Sequence, residues 1–241
     1  MYGWRGRIGM IMPDNNTVLE PEMYSVLPDG LSLHCGRVVM RGGPARERVP
    51  SGVAALPSVI EGLHKRVGVL TYACMTSSIF QEVGWHRKLE ESLHGVPFLP
   101  AGETMVRALR EFEAARIGIF SPWHEEIAAK AAPWFANFDM EVAYHASVPF
   151  TRDEVTGHDV AEFFQRILRE FRGKNLDALC IVGTDWGSLD VIDPLEQDLG
   201  IPVITSNLAL LWCAMGAIGV NENIGIGTLF DRPTPSDDYW S

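Results

Sequence analysis

Paired cysteines are missing from this sequence: Cys35, Cys74, Cys180 and Cys213 stand singly in 241 residues, with no C-x-x-C spacing. That excludes a disulfide-framed secreted domain and a cysteine zinc site, and it predicts reduced thiols in the cytoplasm. Long apolar runs are missing as well. No segment reaches the roughly 18 apolar residues that a membrane span needs, so no membrane partner is expected. The first apolar run, within MYGWRGRIGMIMPDN, is short and ends in turn residues, which predicts a strand and not a secretion signal. Basic residues are scarce, 20 Lys and Arg against 31 Asp and Glu, for a net charge of −11. Without a basic run a nucleic-acid partner is not expected, because affinity for a phosphate backbone needs clustered Lys and Arg. The glycine-containing stretches GIGMIMP and IGVNENIGIG lack both the dinucleotide and the P-loop contexts. The histidines show no metal-ligand spacing.

Hydrophobic residues make up 46% of the chain and charged residues 21%, enough apolar surface for a substantial core. Short runs rich in Ile and Val alternate with helical patterns, the signature of βαβ units around a parallel sheet. Strands are predicted in GRIGMIM, LSLHCGRVVM, RVGVLTYA, ARIGIFS, MEVAYHAS, DALCIVG, PVITS and ENIGIG. Helices are predicted near 17–25, 53–65, 80–94, 102–113, 123–136, 158–172, 188–199 and 206–217. Four strands run into small, polar or turn-forming residues and then a helix, in MIMPDNNT, LTYACMTSS, GIFSPWHEE and CIVGTDWGS. Two belong to each half of the chain. Because ligands bind outside the carboxyl ends of strands in open α/β sheets, a cleft between the halves would collect all four loops.

Cys74 is the leading chemical candidate. It follows VGVLTYA and precedes MTSS and a helix, where a helix N-terminus lowers a thiol pKa and favours the nucleophilic thiolate. A buried cysteine can equally be a small hydrophobe. Cys35, Cys180 and Cys213, inside apolar patterns, fit that description better. Asn16 and its neighbours Asn15 and Thr17 could cap the first helix or offer amide donors to a carboxylate. Met75 sits in the Cys74 loop, where Thr76, Ser77 and Ser78 could donate to a substrate or cap the following helix. Gly183, Thr184 and Asp185 end the strand in the second half that corresponds to the Cys74 strand, with Asp185 an N-cap or an acid/base. Trp123 could wall an apolar part of the substrate, and His124 fits a solvated helix start.

With MIMPDNNTVLEPEM, TYACMTSS, IGIFSPWHEE and VGTDWGSLDVIDPLEQDLGIPVITSNLALLW in view, the chain resembles the aspartate/glutamate racemase superfamily. The nearer branch is that of maleate cis–trans isomerases and arylmalonate decarboxylases. The resemblance implies an α/β fold of two pseudo-symmetric, Rossmann-like (flavodoxin-like) halves. Each holds a four-stranded parallel sheet, with the active site between them and no metal or organic cofactor. It assigns residues 1–103 plus 208–241 to the first half and 104–207 to the second. It places Asn16 on a carboxylate-binding asparagine and Cys74 on the first-half cysteine, the nucleophile of the isomerases. Gly183 falls where a second-half cysteine is usual. Cys180 cannot replace it, since three residues along a strand point to the opposite face. Trp123 stands where a substrate-binding tyrosine is usual.

Loss of one of two opposed acid/base groups argues against racemization, which takes a proton from one face and returns one to the other. The leading expectation is a maleate-type isomerase with Cys74 as nucleophile, acting on a small carboxylate. An arylmalonate-type decarboxylase with Cys74 as proton donor follows it. A cysteine-dependent amide hydrolase using Asp185 or His124 as base, and a ligand-binding homologue without chemistry, complete the set. A homodimer or homotetramer is expected.

Overall fold

The structure, a computed structural model, describes residues 2–148 and 157–235. Met1, residues 149–156 and residues 236–241 lie outside it, and with them the end of the segment assigned to the first half. Among the described residues eight strands form two four-stranded parallel sheets. In chain order they are β1 (Gly6–Pro13), β2 (Leu31–Val38), β3 (Val69–Tyr72), β4 (Phe98–Pro100), β5 (Arg116–Ser121), β6 (Glu141–Ser147), β7 (Ala178–Ile181) and β8 (Val203–Thr205). The spatial order is β2-β1-β3-β4 in one sheet and β6-β5-β7-β8 in the other, the same permutation twice. The expected two-fold echo is therefore real at the level of topology.

Burial follows position in the sheet. The inner strands β3 and β7 are buried at every residue, whereas the edge strands β2 and β6 carry several half-exposed positions. Covered strands need apolar side chains on both faces, which is why VLTY and ALCI read as continuous runs. In each sheet the chain leaves the first inner strand toward one edge and returns to pair on the other side. The gap between β1 and β3, and between β5 and β7, is the topological switch point where parallel sheets place ligands.

The helices are α1 (Leu19–Val26), α2 (Ala45–Leu63), α3 (Met75–Phe80), α4 (Arg87–Glu90), α5 (Ala101–Arg110), α6 (Glu125–Ala136), α7 (Val160–Phe171), α8 (Leu189–Leu199) and α9 (Ser206–Ala217). Buried along its whole length, α9 packs on α5 and touches β3, β4 and β8, so it belongs to the interior of the molecule.

Three expectations are corrected. ENIGIG is not a strand: Gly225 and Gly227 take φ of +74° and +61°, which an extended ladder cannot accept. The eighth strand is β4 instead, Phe98 to Pro100 within VPFLP, hidden by a proline just before it and another at its last residue. Of the helix expected at 80–94 only α4, Arg87–Glu90, forms; α3 ends at Phe80, and a turn at Gly84 with φ +81° lies between them. In addition α2 begins at Ala45, eight residues before its predicted start at 53, with Pro50 and Pro57 accommodated inside it.

A half-buried carboxylate fastens the two halves. Glu22 of α1 accepts from the N–H groups of Ser188 and Leu189 (the latter at 3.0 Å) at the start of α8, and from Nδ2 of Asn207 on α9. Burial raises its pKa above the usual carboxylate value, and the three donors only partly oppose that.

Candidate active site

One cavity of about 370 Å³ opens at the carboxyl ends of the inner strands of both sheets. All four predicted loops contribute: Asn15 and Asn16 after β1, Cys74 to Thr76 after β3, Trp123 and His124 after β5, and Gly183 to Asp185 after β7. Of the loop residues singled out in the sequence, Thr17, Ser77 and Ser78 do not line it and the others do. Met40, Ala45, Arg48 and Val49, from α2 and the chain leading to it, also form part of the wall. Their part in the wall is not legible in the sequence: Met40 ends an expected strand, and Ala45, Arg48 and Val49 precede the expected start of α2 at 53.

Cys74 occupies the N-cap position of α3, with φ −145° and ψ 91°. Its carbonyl accepts from Ser77 N at 3.1 Å and from Ser78 N at 3.3 Å. Its Sγ accepts a hydrogen bond from Ser77 Oγ at 3.1 Å, and Ser77 Oγ lies 3.0 Å from the Tyr72 hydroxyl. A serine hydroxyl has one proton, so when Ser77 donates to sulfur, Tyr72 is the donor to Ser77. The outcome is a buried relay of two hydroxyls that ends on the thiol. Ser77 therefore supports Cys74 from behind and does not reach the cavity, in contrast to its predicted contact with substrate. Ser78 is committed elsewhere, accepting from Gly102 N at 3.0 Å.

The thiol pKa is raised, not lowered as its position before a helix suggested. Burial is the largest cause; the Ser77 hydroxyl, the Ser77 N–H and the Tyr72 hydroxyl pull it down, and the negative charge of Asp185 pushes it up. A helix of only six residues has little macrodipole to set against desolvation. Asp185→Asn is accordingly expected to lower the Cys74 pKa. The measure is the pH midpoint of iodoacetamide labelling at Cys74, which should move toward neutral; an unchanged or higher midpoint would contradict the coupling.

Asn16 does two jobs within the protein. Its Oδ1 caps α1 by accepting from Val18 N and Leu19 N at 3.1 and 3.0 Å, and its Nδ2 crosses the cleft to Thr184 O at 3.0 Å and Thr184 Oγ1 at 3.2 Å. Thr184 Oγ1 in turn donates to Ala73 O at 2.8 Å. This chain ties the loops after β1, β7 and β3 together, so a carboxylate reaching Asn16 competes with Thr184 for the amide. The N–H groups of Met75 and Thr76, in the first turn of α3, have no backbone acceptor among the described residues.

Gly183 has φ +127°, a conformation open to glycine and costly for other residues, and its N–H donates to Ser206 Oγ at 3.2 Å. A Cβ there would meet Pro122 Cγ at 3.3 Å. The backbone at this position therefore resists a cysteine. Gly183→Cys is expected to cost about 1–3 kcal/mol of stability, read as a fall in Tm, and to give no racemase activity. A variant as stable as the parent would show that the loop relaxes freely.

Cys180 lies buried in β7 and Cys213 in α9, both with pKa pushed far up by burial, while burial carries Cys35 to about 11. None of the three lines the cavity. Trp123 is buried and walls the cavity; its carbonyl accepts from Ser147 Oγ, and its ring stands edge-on to His145 at 6.1 Å. His124 is exposed at the start of α6, as expected for a solvated helix start. No helix among the described residues is long and apolar enough to cross a membrane.

Among known proteins, the maleate isomerase of Pseudomonas putida is 23% identical over 92% of this chain and 96% of its own length. The maleate cis–trans isomerase of Nocardia farcinica, solved as a Cys-to-Ser mutant with a covalently bound succinylcysteine intermediate, superposes with a TM-score of 0.81 at 20% identity. That match covers 93% of this chain and 98% of the other. A liganded arylmalonate decarboxylase double mutant, with one glycine changed to cysteine and one cysteine to serine, superposes with a TM-score of 0.83 at 19% identity, covering 94% and 99%. The family model for arylmalonate decarboxylase matches residues 8–230, nearly the whole chain, and the protein therefore belongs to that family.

Proposed function

We propose that this protein is a cofactor-independent isomerase that converts a maleate-type cis-dicarboxylate to its trans isomer, with Cys74 as the nucleophile. The observation that carries this reading is the pairing of one thiol, Cys74, with a glycine at the corresponding loop of the other sheet. Addition to a double bond followed by elimination needs one nucleophile, whereas two-base proton transfer needs a second acid/base group. The likeness to the maleate isomerases, one of which was captured with a succinylcysteine, supports the same choice.

In the proposed reaction the Cys74 thiolate forms a C–S bond to one alkene carbon. The π pair moves to the adjacent carbon and into its carboxylate as an enediolate. The former double bond, now single, rotates; the pair then returns, the C–S bond breaks, and the trans alkene leaves with the thiolate restored. No proton enters the balance. The Met75 and Thr76 N–H groups and the Thr76 hydroxyl are the donors proposed for the enediolate, and Asn16, Thr184 and Asp185 border the remaining polar wall. Trp123 limits the apolar width of the site. Because the thiol pKa is raised, the rate is expected to climb with pH through neutrality as the thiolate fraction grows.

The family model favours a second reading, decarboxylation of an arylmalonate with Cys74 as proton donor. Proton NMR of the enzyme with maleate, and separately with phenylmalonate, decides between them. Fumarate formation supports the isomerase, and CO₂ loss from phenylmalonate without fumarate formation supports the decarboxylase. Silence with both would remove weight from each and shift it to a hydrolase or a binding protein. We further propose a cytoplasmic location, supported by four free cysteines, and a homodimer or homotetramer, to be measured by sedimentation.

A further inference from the structure

We infer that Arg48 is the specificity-determining residue for a second carboxylate, making the cavity selective for dianionic over monoanionic substrates. This rests on the reading of the cavity as the substrate site. Arg48 lies in the first turn of α2, half-buried, and forms part of the cavity wall beside Met40, Ala45 and Val49. Among the described residues it is the only lysine or arginine in that wall. By contrast Arg37 pairs with Glu20, and Arg46, two residues before Arg48, reaches Glu126 at 3.8 Å. Arg48 has no ion-pair partner and its side chain no hydrogen bond among the described residues.

A guanidinium left unpaired in a cavity wall, in a protein of net charge −11, is suited to an anion brought in by the ligand. The thiol end of the site offers N–H and hydroxyl donors for one carboxylate. The α2 end, otherwise Met40, Ala45 and Val49, offers apolar wall and this one cation. The two ends together suit a short chain with a carboxylate at each terminus. The same cation disfavours decarboxylation at the α2 end: a carboxylate leaving as CO₂ loses its charge, so an ion pair there stabilises the ground state more than the transition state.

The test is calorimetric binding of succinate, an unreactive dianion, and butyrate, a monoanion of the same carbon count, to the wild type, Arg48→Gln and Arg48→Lys. Thermal melts check that each variant folds. Arg48→Gln should weaken succinate about 10- to 100-fold and leave butyrate within about threefold, and Arg48→Lys should regain part of the preference. Equal loss of both ligands, a lysine variant no better than glutamine, or a wild type without preference for succinate would each overturn the assignment. Maleate turnover on the same samples separates the two claims, since a protein that prefers succinate yet makes no fumarate contradicts the isomerase reading alone.

Discussion

Cys74→Ala is expected to reduce maleate turnover by about a thousandfold or more, as removal of a covalent nucleophile does in other enzymes, while succinate binding and the melting temperature stay near those of the parent. The other three cysteines cannot substitute, because none reaches the cavity and burial suppresses their thiolates. Cys74→Ser should be nearly as inactive, since a hydroxyl is a far weaker nucleophile at neutral pH. Ser77→Ala is the informative intermediate: it removes a donor to Sγ and should raise the thiol pKa further, leaving an enzyme whose rate recovers at alkaline pH. An alanine variant at position 74 that retains a tenth of the activity would exclude covalent catalysis by this residue.

Glu22→Ala is expected to destabilise the protein by about 3 kcal/mol, because it strands three buried donors, Ser188 N, Leu189 N and Asn207 Nδ2, at the junction of α1, α8 and α9. Glu22→Gln should cost less, since its carbonyl oxygen still accepts from the α8 backbone while its amide opposes that of Asn207. The pH dependence has a defined sign. With its pKa raised above 4.5 by burial, Glu22 adds stability that is fully present below 4.5 and is lost as pH rises through the higher folded value. The gap between the wild type and Glu22→Gln in denaturant melts should therefore widen toward acid pH. A Glu22→Ala protein as stable as the parent would show that the two halves are held by apolar packing alone.

Local sequence carried the site where the chemistry and its backbone are contiguous. Cys74, Trp123 and Gly183 each end a buried inner strand, and strand-loop-helix punctuation marks that position without tertiary information. Contributions set by packing were hidden. Arg48 and Val49 enter the cavity because α2 starts at Ala45 and leans on the site, and Pro50 concealed that start. Ser77 looked like a substrate donor because it follows Cys74 closely, but the turn of α3 rotates it behind the thiol onto Tyr72. The thiol pKa was misjudged because sequence displays the helix start but not the desolvation that outweighs it. For Gly183, the residue type is legible in the sequence, but the φ of +127° that disfavours a cysteine there is not. The strand at VPFLP and the glycine loop at ENIGIG were exchanged for a similar reason. Phe98, Leu99 and Pro100 pair because the neighbouring β3 is there to receive them, while Gly225 and Gly227 take positive φ and join no strand ladder.

The most direct test of single-thiol isomerisation is the deuterium content of fumarate formed from maleate in D₂O, read by proton NMR and mass spectrometry. Addition, rotation and elimination at Cys74, with Gly183 in place of a second proton donor, predict fumarate that retains both vinyl protons; deuterium at either vinyl carbon would contradict it and show that a second group in the cavity delivers a proton to the intermediate.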